Sequence, residues 1–229
     1  MLKYLKHLFS LFYPNVCMAC SNALLAGEQH ICINCLITLP KTHFHVDDDN
    51  PVARSFWGRA PVKSAAAYYY FKKGTGVQNL LHNLKYKGQK DMGVSLGLAY
   101  GAELKQSANF NSVAVIIPVP LHKKKLRQRG YNQSEYFAKG LAQGMGAVLD
   151  TASLIKSVHT QSQTKKSRIE RVKNVEDVFT VTNAQQLAGK HVLLVDDVIT
   201  TGATIEACAL KLAEVDNITI SVVSIAYAS

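Results

Sequence analysis

The sequence predicts an α/β domain, a mostly parallel sheet covered by helices, with a small cysteine-bearing module in front of it. Three observations predict this. Continuous apolar runs such as HVLLVDD and VAVIIPVP alternate with segments of helical periodicity, the pattern of strands buried on both faces. Four of the five cysteines fall within the first 40 residues. The length of 229 residues suits one such domain plus a small unit, and 48% hydrophobic residues supply a core, which excludes a disordered or fibrous chain. No apolar run reaches the roughly 18 to 20 residues that a membrane-spanning helix needs.

In the opening MLKYLKHLFSLFYP, Leu2, Leu5, Leu8, Phe9 and Phe12 recur at helical spacing, which predicts a short amphipathic helix. Lys3, Lys6 and His7 interrupt the apolar core that a secretory signal requires, so a cytoplasmic protein is expected. Next come Cys17-Met-Ala-Cys20 and Cys32-Ile-Asn-Cys35. A CxxC turn presents two thiolates on one side, and two such turns complete a tetrahedral site. A structural Zn2+ held by Cys17, Cys20, Cys32 and Cys35 is therefore expected in a module spanning residues 1–40. The alternative, disulfides or buried thiols, fits poorly without a secretory signal. His30 is read as a surface residue.

Residues 41–63 mix charge, proline and one tryptophan without a period and read as a linker or irregular arm, with Asp47, Asp48 and Asp49 a solvated cluster. The main domain is expected over 64–229. SAAAYYYF reads as a strand, with its tyrosines packing rather than stacking on a ligand. Val77, Leu80, Leu81 and Leu84 mark a helix, and MGVSLGLAYGAEL a second. VAVIIPVP is a buried strand, YNQSEYFAKGLAQGM a helix, and HVLLVDD a strand. Ile205, Cys208, Ala209 and Leu212 define the next helix, placing Cys208 in the core, and ITISVVSIAYA is the last strand.

Ligands of such sheets sit beyond the carboxyl ends of the strands. There HVLLV runs into Asp196 and Asp197, then into the loop Thr200-Thr201-Gly202-Ala203-Thr204, then into a helix. Gly202 permits a tight turn, and the loop amides and helix N-terminus offer partial positive charge to an anion. Three threonine hydroxyls add donors. Two adjacent acids suit vicinal sugar hydroxyls, or a divalent ion held through water, better than a phosphate. The order reads as a cradle for a ribose 5-phosphate. A strand end with a threonine cap would account for only part of it.

The segment VLLVDDVITTGAT resembles the phosphoribosyl pyrophosphate motif of type I phosphoribosyltransferases. The wider chain is similar to the ComF family of competence-associated proteins, GntX-type members included. The resemblance runs, in family order, through the double CxxC module ending in LP, LLHNLKYKGQKDMG, IIPVPLHKKKLRQRGYNQSE and TQSQTKKSRIERVKNVEDVF. It implies a type I phosphoribosyltransferase-like fold behind a zinc-ribbon-like module, with phosphoribosyl pyrophosphate and Mg2+ as ligands. By the same resemblance Asp196 and Asp197 face the ribose hydroxyls or Mg2+, and Thr200, Thr201, Gly202, Ala203 and Thr204 hold the 5-phosphate. Pro118, Val119 and Pro120 lie where related transferases bind pyrophosphate, and Thr160 to Asn174 correspond to a closing loop. Where many relatives carry arginines this chain has Lys156-Ser157-Val158-His159, so no arginine role is transferred there.

The net charge of +10 is unevenly spread: residues 61–175 hold 19 basic and 5 acidic residues, whereas residues 176–229 hold 2 and 7. The run from Leu121 to Arg129, expected as a loop, offers Lys125, Arg127 and Arg129 to pyrophosphate or a DNA backbone. Lys72, Lys73, Lys85, Tyr86, Lys87 and Lys90 form a basic-aromatic mixture suited to single-stranded DNA. A solvated basic face is the plainer alternative for either run. Two functions follow. One is a protein of single-stranded DNA handling in natural transformation that binds phosphoribosyl pyrophosphate, with other competence proteins as partners. The other is a transferase passing the phosphoribosyl group to a nitrogen acceptor with loss of pyrophosphate. No catalytic residue is assigned.

Overall fold

The computed structural model describes residues 15–156 and 178–228. The helix expected within residues 1–14 and the closing loop expected at residues 160–174 lie outside the described residues.

The cysteine module holds α1 (Ile33–Thr38), and α2 (Pro51–Arg54) follows it. The main domain then runs β1 (Ser64–Tyr70), α3 (Gly76–Tyr86), α4 (Lys90–Gln106), β2 (Val115–Pro118), α5 (Lys123–Arg129), α6 (Gln133–Met145) and β3 (Val148–Leu149). It continues with β4 (Leu154–Lys156), β5 (Phe179–Val181), α7 (Ala184–Leu187), β6 (His191–Ile199), α8 (Ala203–Leu212) and β7 (Thr219–Tyr227). Five strands form one sheet in the order β1-β7-β6-β2-β3, every pair parallel. Strands β4 and β5 make a separate antiparallel hairpin.

Burial on both faces explains the apolar runs: Val192 to Val195 and Ile116 to Ile117 are almost wholly inaccessible. One core lies on the α3, α4 and α6 side and the other on the α2 and α8 side. The tyrosine run packs as expected at Tyr68 and Tyr69, and Tyr68 stacks on Tyr100 with centroids 4.4 Å apart. Cys208 is fully buried. From β2 the chain proceeds to β3 on one side, and from β6 to β7 on the other. The connections therefore diverge between β2 and β6, which opens a crevice at the carboxyl ends of these two strands.

One expectation changes and one gains detail. Residues 41–63, expected as a linker or irregular arm, carry one short helix and pack part of their length into the core. The Asn50 side chain accepts from the Val52 and Ala53 amides to start α2 with Pro51 in the first turn, and Val52, Ala53 and Phe56 are buried in the core. The basic run after Pro120 is not a loop. KKKLRQR contains only good helix formers, His122 Nδ1 accepts from the Lys124 amide at its start, and its last turn carries Arg127 and Arg129 against the negative end of the helix dipole.

Candidate functional site

The site is assembled where β2 and β6 end side by side. The Val119 amide donates to the Val195 carbonyl at 2.8 Å, extending the pairing to the edge of the crevice. Asn132 fixes the start of α6 there. Its Oδ1 accepts from the Ser134 amide at 3.2 Å, and its Nδ2 donates to the Val119 carbonyl at 3.0 Å. This presents the first turn of α6 to the end of β6. Ser134 Oγ donates to Asp196 Oδ1 at 3.0 Å, and the Asp197 amide donates to the same oxygen at 2.8 Å. Gln133 Nε2 donates to Asp197 Oδ2, which also pairs with Lys85 Nζ at 3.0 Å.

The two carboxylates therefore differ. Asp197 is only 7% exposed and is held by a cation and an amide. Burial, and secondarily the charge on Asp197, push the Asp196 carboxyl up to about 7. Gln133 is buried as well, and its Oε1 has no hydrogen-bond partner among the described residues.

Beyond β6, residues Thr200 to Thr204 and Asp196 line a concavity of about 70 Å³ at the N-terminus of α8. Gly202 has φ 75°, a left-handed conformation that L side chains resist, and a Cβ there would stand 3.0 Å from Phe56 Cε1. Arg59 ties this loop to the segment after α2, donating to the carbonyls of Ser55 (2.9 Å) and Thr201 (3.3 Å) and pairing with Glu206. A second cleft, of about 220 Å³, adjoins it and is lined by Asp196, Asp197, Lys85, Lys125, Arg129 and Lys156, with Val119 and Pro120 on its wall. One acid thus lies between a concavity of amides and hydroxyls and a cleft of cations.

Of the residues singled out from sequence, Asp196, Asp197, Thr200 to Thr204, Val119, Pro120, Lys125 and Arg129 meet at this edge. Pro118 stays buried as the last residue of β2, and Arg127 is exposed on α5 outside the cleft lining. Sequence reasoning gave Gln133 and Ser134 no role. The signal that could have found them is Asn132, a helix-capping residue that places the next two side chains at a helix start facing the strand end. From sequence Lys85 belongs to a basic-aromatic stretch suited to single-stranded DNA, and Lys156 marks only a departure from the relatives; the fold brings both to this cleft.

The cysteine cluster forms separately. The sulfurs of Cys17, Cys20, Cys32 and Cys35 lie within 4.8 Å of one another, with Cys20 and Cys32 at 3.8 Å. A tetrahedral zinc with Zn–S bonds of about 2.3 Å requires sulfur–sulfur edges of about 3.8 Å, so the four thiols fit such an ion. The Cys32 amide donates to Cys17 Sγ at 3.3 Å. Burial opposes ionisation of Cys17, but the amides of Cys32, Cys20 and Ala19 outweigh it and bring the thiol down to about 7. His30 stands outside the cluster.

A phosphoribosyl transferase domain family matches residues 132–228, the stretch from the Asn132 cap through the threonine loop to β7. The chain is 26% identical over 200 residues to the DNA utilization protein YhgH of Shigella flexneri, covering 86% of this chain and 83% of that protein. It is 31% identical over 105 residues to Competence protein F of Haemophilus influenzae, covering 45% of each. It is 34% identical over 103 residues to Competence protein ComFC of Bacillus subtilis, covering 44% of this chain and 38% of that protein. Taken with the parallel sheet and the four-cysteine cluster, these similarities support a ComF-like family whose members carry a phosphoribosyl transferase domain.

Proposed function

We propose that the crevice binds phosphoribosyl pyrophosphate and that the protein acts in handling or uptake of single-stranded DNA. The observation that carries the ligand reading is the place of Asp196 between the Thr200–Thr204 concavity and the cationic cleft. A ribose bearing a 5-phosphate at one end and a 1-diphosphate at the other has the same order of charges, with its vicinal hydroxyls in the middle. In this reading Thr200 to Thr204 receive the 5-phosphate through amides, hydroxyls and the start of α8. Asp196 and Asp197 accept from the hydroxyls. Lys125, Arg129 and the Val119-Pro120 wall receive the diphosphate, joined by Lys85 and Lys156. Mg2+ would accompany the diphosphate, with Asp196 the acid nearest both pockets. The cysteines would hold Zn2+ as a structural ion, residues 1–40 forming its module, residues 41–63 the joining segment and residues 64–229 the phosphoribosyltransferase-like unit.

The DNA role is supported by the names of the relatives and by the basic middle of the chain. Calorimetry with phosphoribosyl pyrophosphate and Mg2+ tests the ligand reading. Wild type is expected to give a saturable isotherm, weakened about a hundredfold or more in Asp196→Ala, which loses charge-assisted bonds to the sugar. A flat isotherm for wild-type protein would overturn it. Release of pyrophosphate on adding a panel of nucleobases would favour the transferase instead.

A further inference from the structure

The last turn of α3 forms a ridge between two depressions. Lys85 points to the cationic cleft at the crevice. Asn83 and Lys87 instead line a larger cleft of about 530 Å³ against the cysteine module, together with Met18 and Gln89. Between them Tyr86 projects outward, 64% exposed. Cations and rings converge on this side chain. The Arg129 guanidinium carbon lies 5.5 Å from the centre of its ring, and the His82 ring centroid lies 5.1 Å from it. Arg129 is also part of the lining of the cationic cleft, so one guanidinium joins the exposed ring to the phosphate-binding edge. The acid of the larger cleft, Glu28, is engaged by the amides of Leu25 (2.6 Å) and Ile33 (2.8 Å).

We propose that single-stranded DNA crosses this ridge, stacking one base on the Tyr86 ring while its flanking phosphates lie against Arg129 on one side and Lys87 on the other. The inference rests on the DNA-handling reading above and adds the contact surface to it. An exposed ring offers a face to any base. In a duplex the faces are already occupied by neighbouring pairs, so the ridge selects unpaired strands. With Arg129 on one face of the ring, stacking on the other forms a cation–ring–base sandwich, and the cations attract the backbone.

The test is fluorescence anisotropy with the full-length protein and a labelled oligothymidylate of about 15 nucleotides, at two salt concentrations. Tyr86→Ala is expected to weaken binding about fivefold or more, whereas Tyr86→Phe and Tyr86→Trp stay near wild type because the ring survives. Lys87→Ala is expected to weaken binding and to lower the slope of log affinity against log salt by about one. Photocrosslinking to halogenated deoxyuridine, mapped by mass spectrometry, is expected to mark Tyr86. Wild-type binding left unchanged in Tyr86→Ala would overturn the ridge while sparing the DNA reading. A wild-type protein that binds no single strand would overturn both. Equal affinity for duplex of the same length would also overturn the ridge. Because Tyr86 is exposed, an unchanged melting temperature is expected for every variant, which separates lost contact from lost fold.

Discussion

Asp196 shows what the site costs the fold. Its carboxyl is pushed up to about 7, chiefly by burial and then by Asp197, so in the ligand-free protein its ionised form is disfavoured. A raised folded-state value contributes stability that is complete below the unfolded value near 3.8 and is lost as pH rises through about 7. Asp196→Asn keeps the shape and removes the charge. It is therefore expected to melt several degrees above wild type at pH 8, with the gap closing as pH falls toward 4, while losing affinity for phosphoribosyl pyrophosphate. Thermal melts across that range check it. A variant that melts below wild type at pH 8 would show that the Ser134 and Asp197 bonds to this side chain outweigh the charge penalty.

Helices α4 and α6 pack backbone against backbone, and glycine is the reason. A Cβ on Gly97 would collide with the Phe137 carbonyl oxygen, and one on Gly140 with that of Val94. Alanine at position 97 would gain about 1 kcal/mol of helix propensity, but both neighbours are backbone and cannot yield, so overpacking of about 1–3 kcal/mol or more decides the sign. Gly97→Ala is expected to lower the melting temperature by several degrees, and an increase would show that the two helices can separate. This contact also marks the limit of reading elements from sequence. The helical period of α4 was legible, but its glycine seam needs a partner helix to have meaning. Long strands were legible because burial on both faces writes a continuous apolar run, as in Val192 to Val195. The β4–β5 hairpin was not, since each strand has three residues and its partner lies far along the chain. The site divides in the same way. Asp196, Asp197 and Thr200 to Thr204 are contiguous and were found by order alone. Lys85, which meets Asp197 only through the fold, was not.

At the scale of the whole molecule, α3 connects the cysteine cluster to the crevice. From its middle and its last turn Asn79 and Asn83 donate to the carbonyls of Ala19 (2.7 Å) and Met18 (2.9 Å), residues of the first CxxC turn. Val77, Leu80 and Leu84 share one core with Cys17, Cys32 and Cys35. In the same last turn the Leu84 carbonyl accepts from Tyr131 OH and Lys85 reaches Asp197. Asn83 and Lys85 stand two residues apart in one internally bonded helix of eleven residues, so a displacement at Asn83 is carried to Lys85 by the backbone between them. If the cysteines hold zinc, loss of the ion frees the Ala19 and Met18 carbonyls and with them the seat of Lys85. Wild type is expected to contain about one zinc per chain by elemental analysis, and Cys20→Ser to lose it and melt at lower temperature. The coupling itself is read in Asn79→Ala with Asn83→Ala. This variant is expected to retain its zinc yet bind phosphoribosyl pyrophosphate about three- to tenfold more weakly. Zinc retained with unchanged ligand affinity would mean that the cluster stabilises its own module and leaves the crevice alone. Zinc lost with the asparagines would instead make them supports of the ion, since they hold the two carbonyls inside its first knuckle.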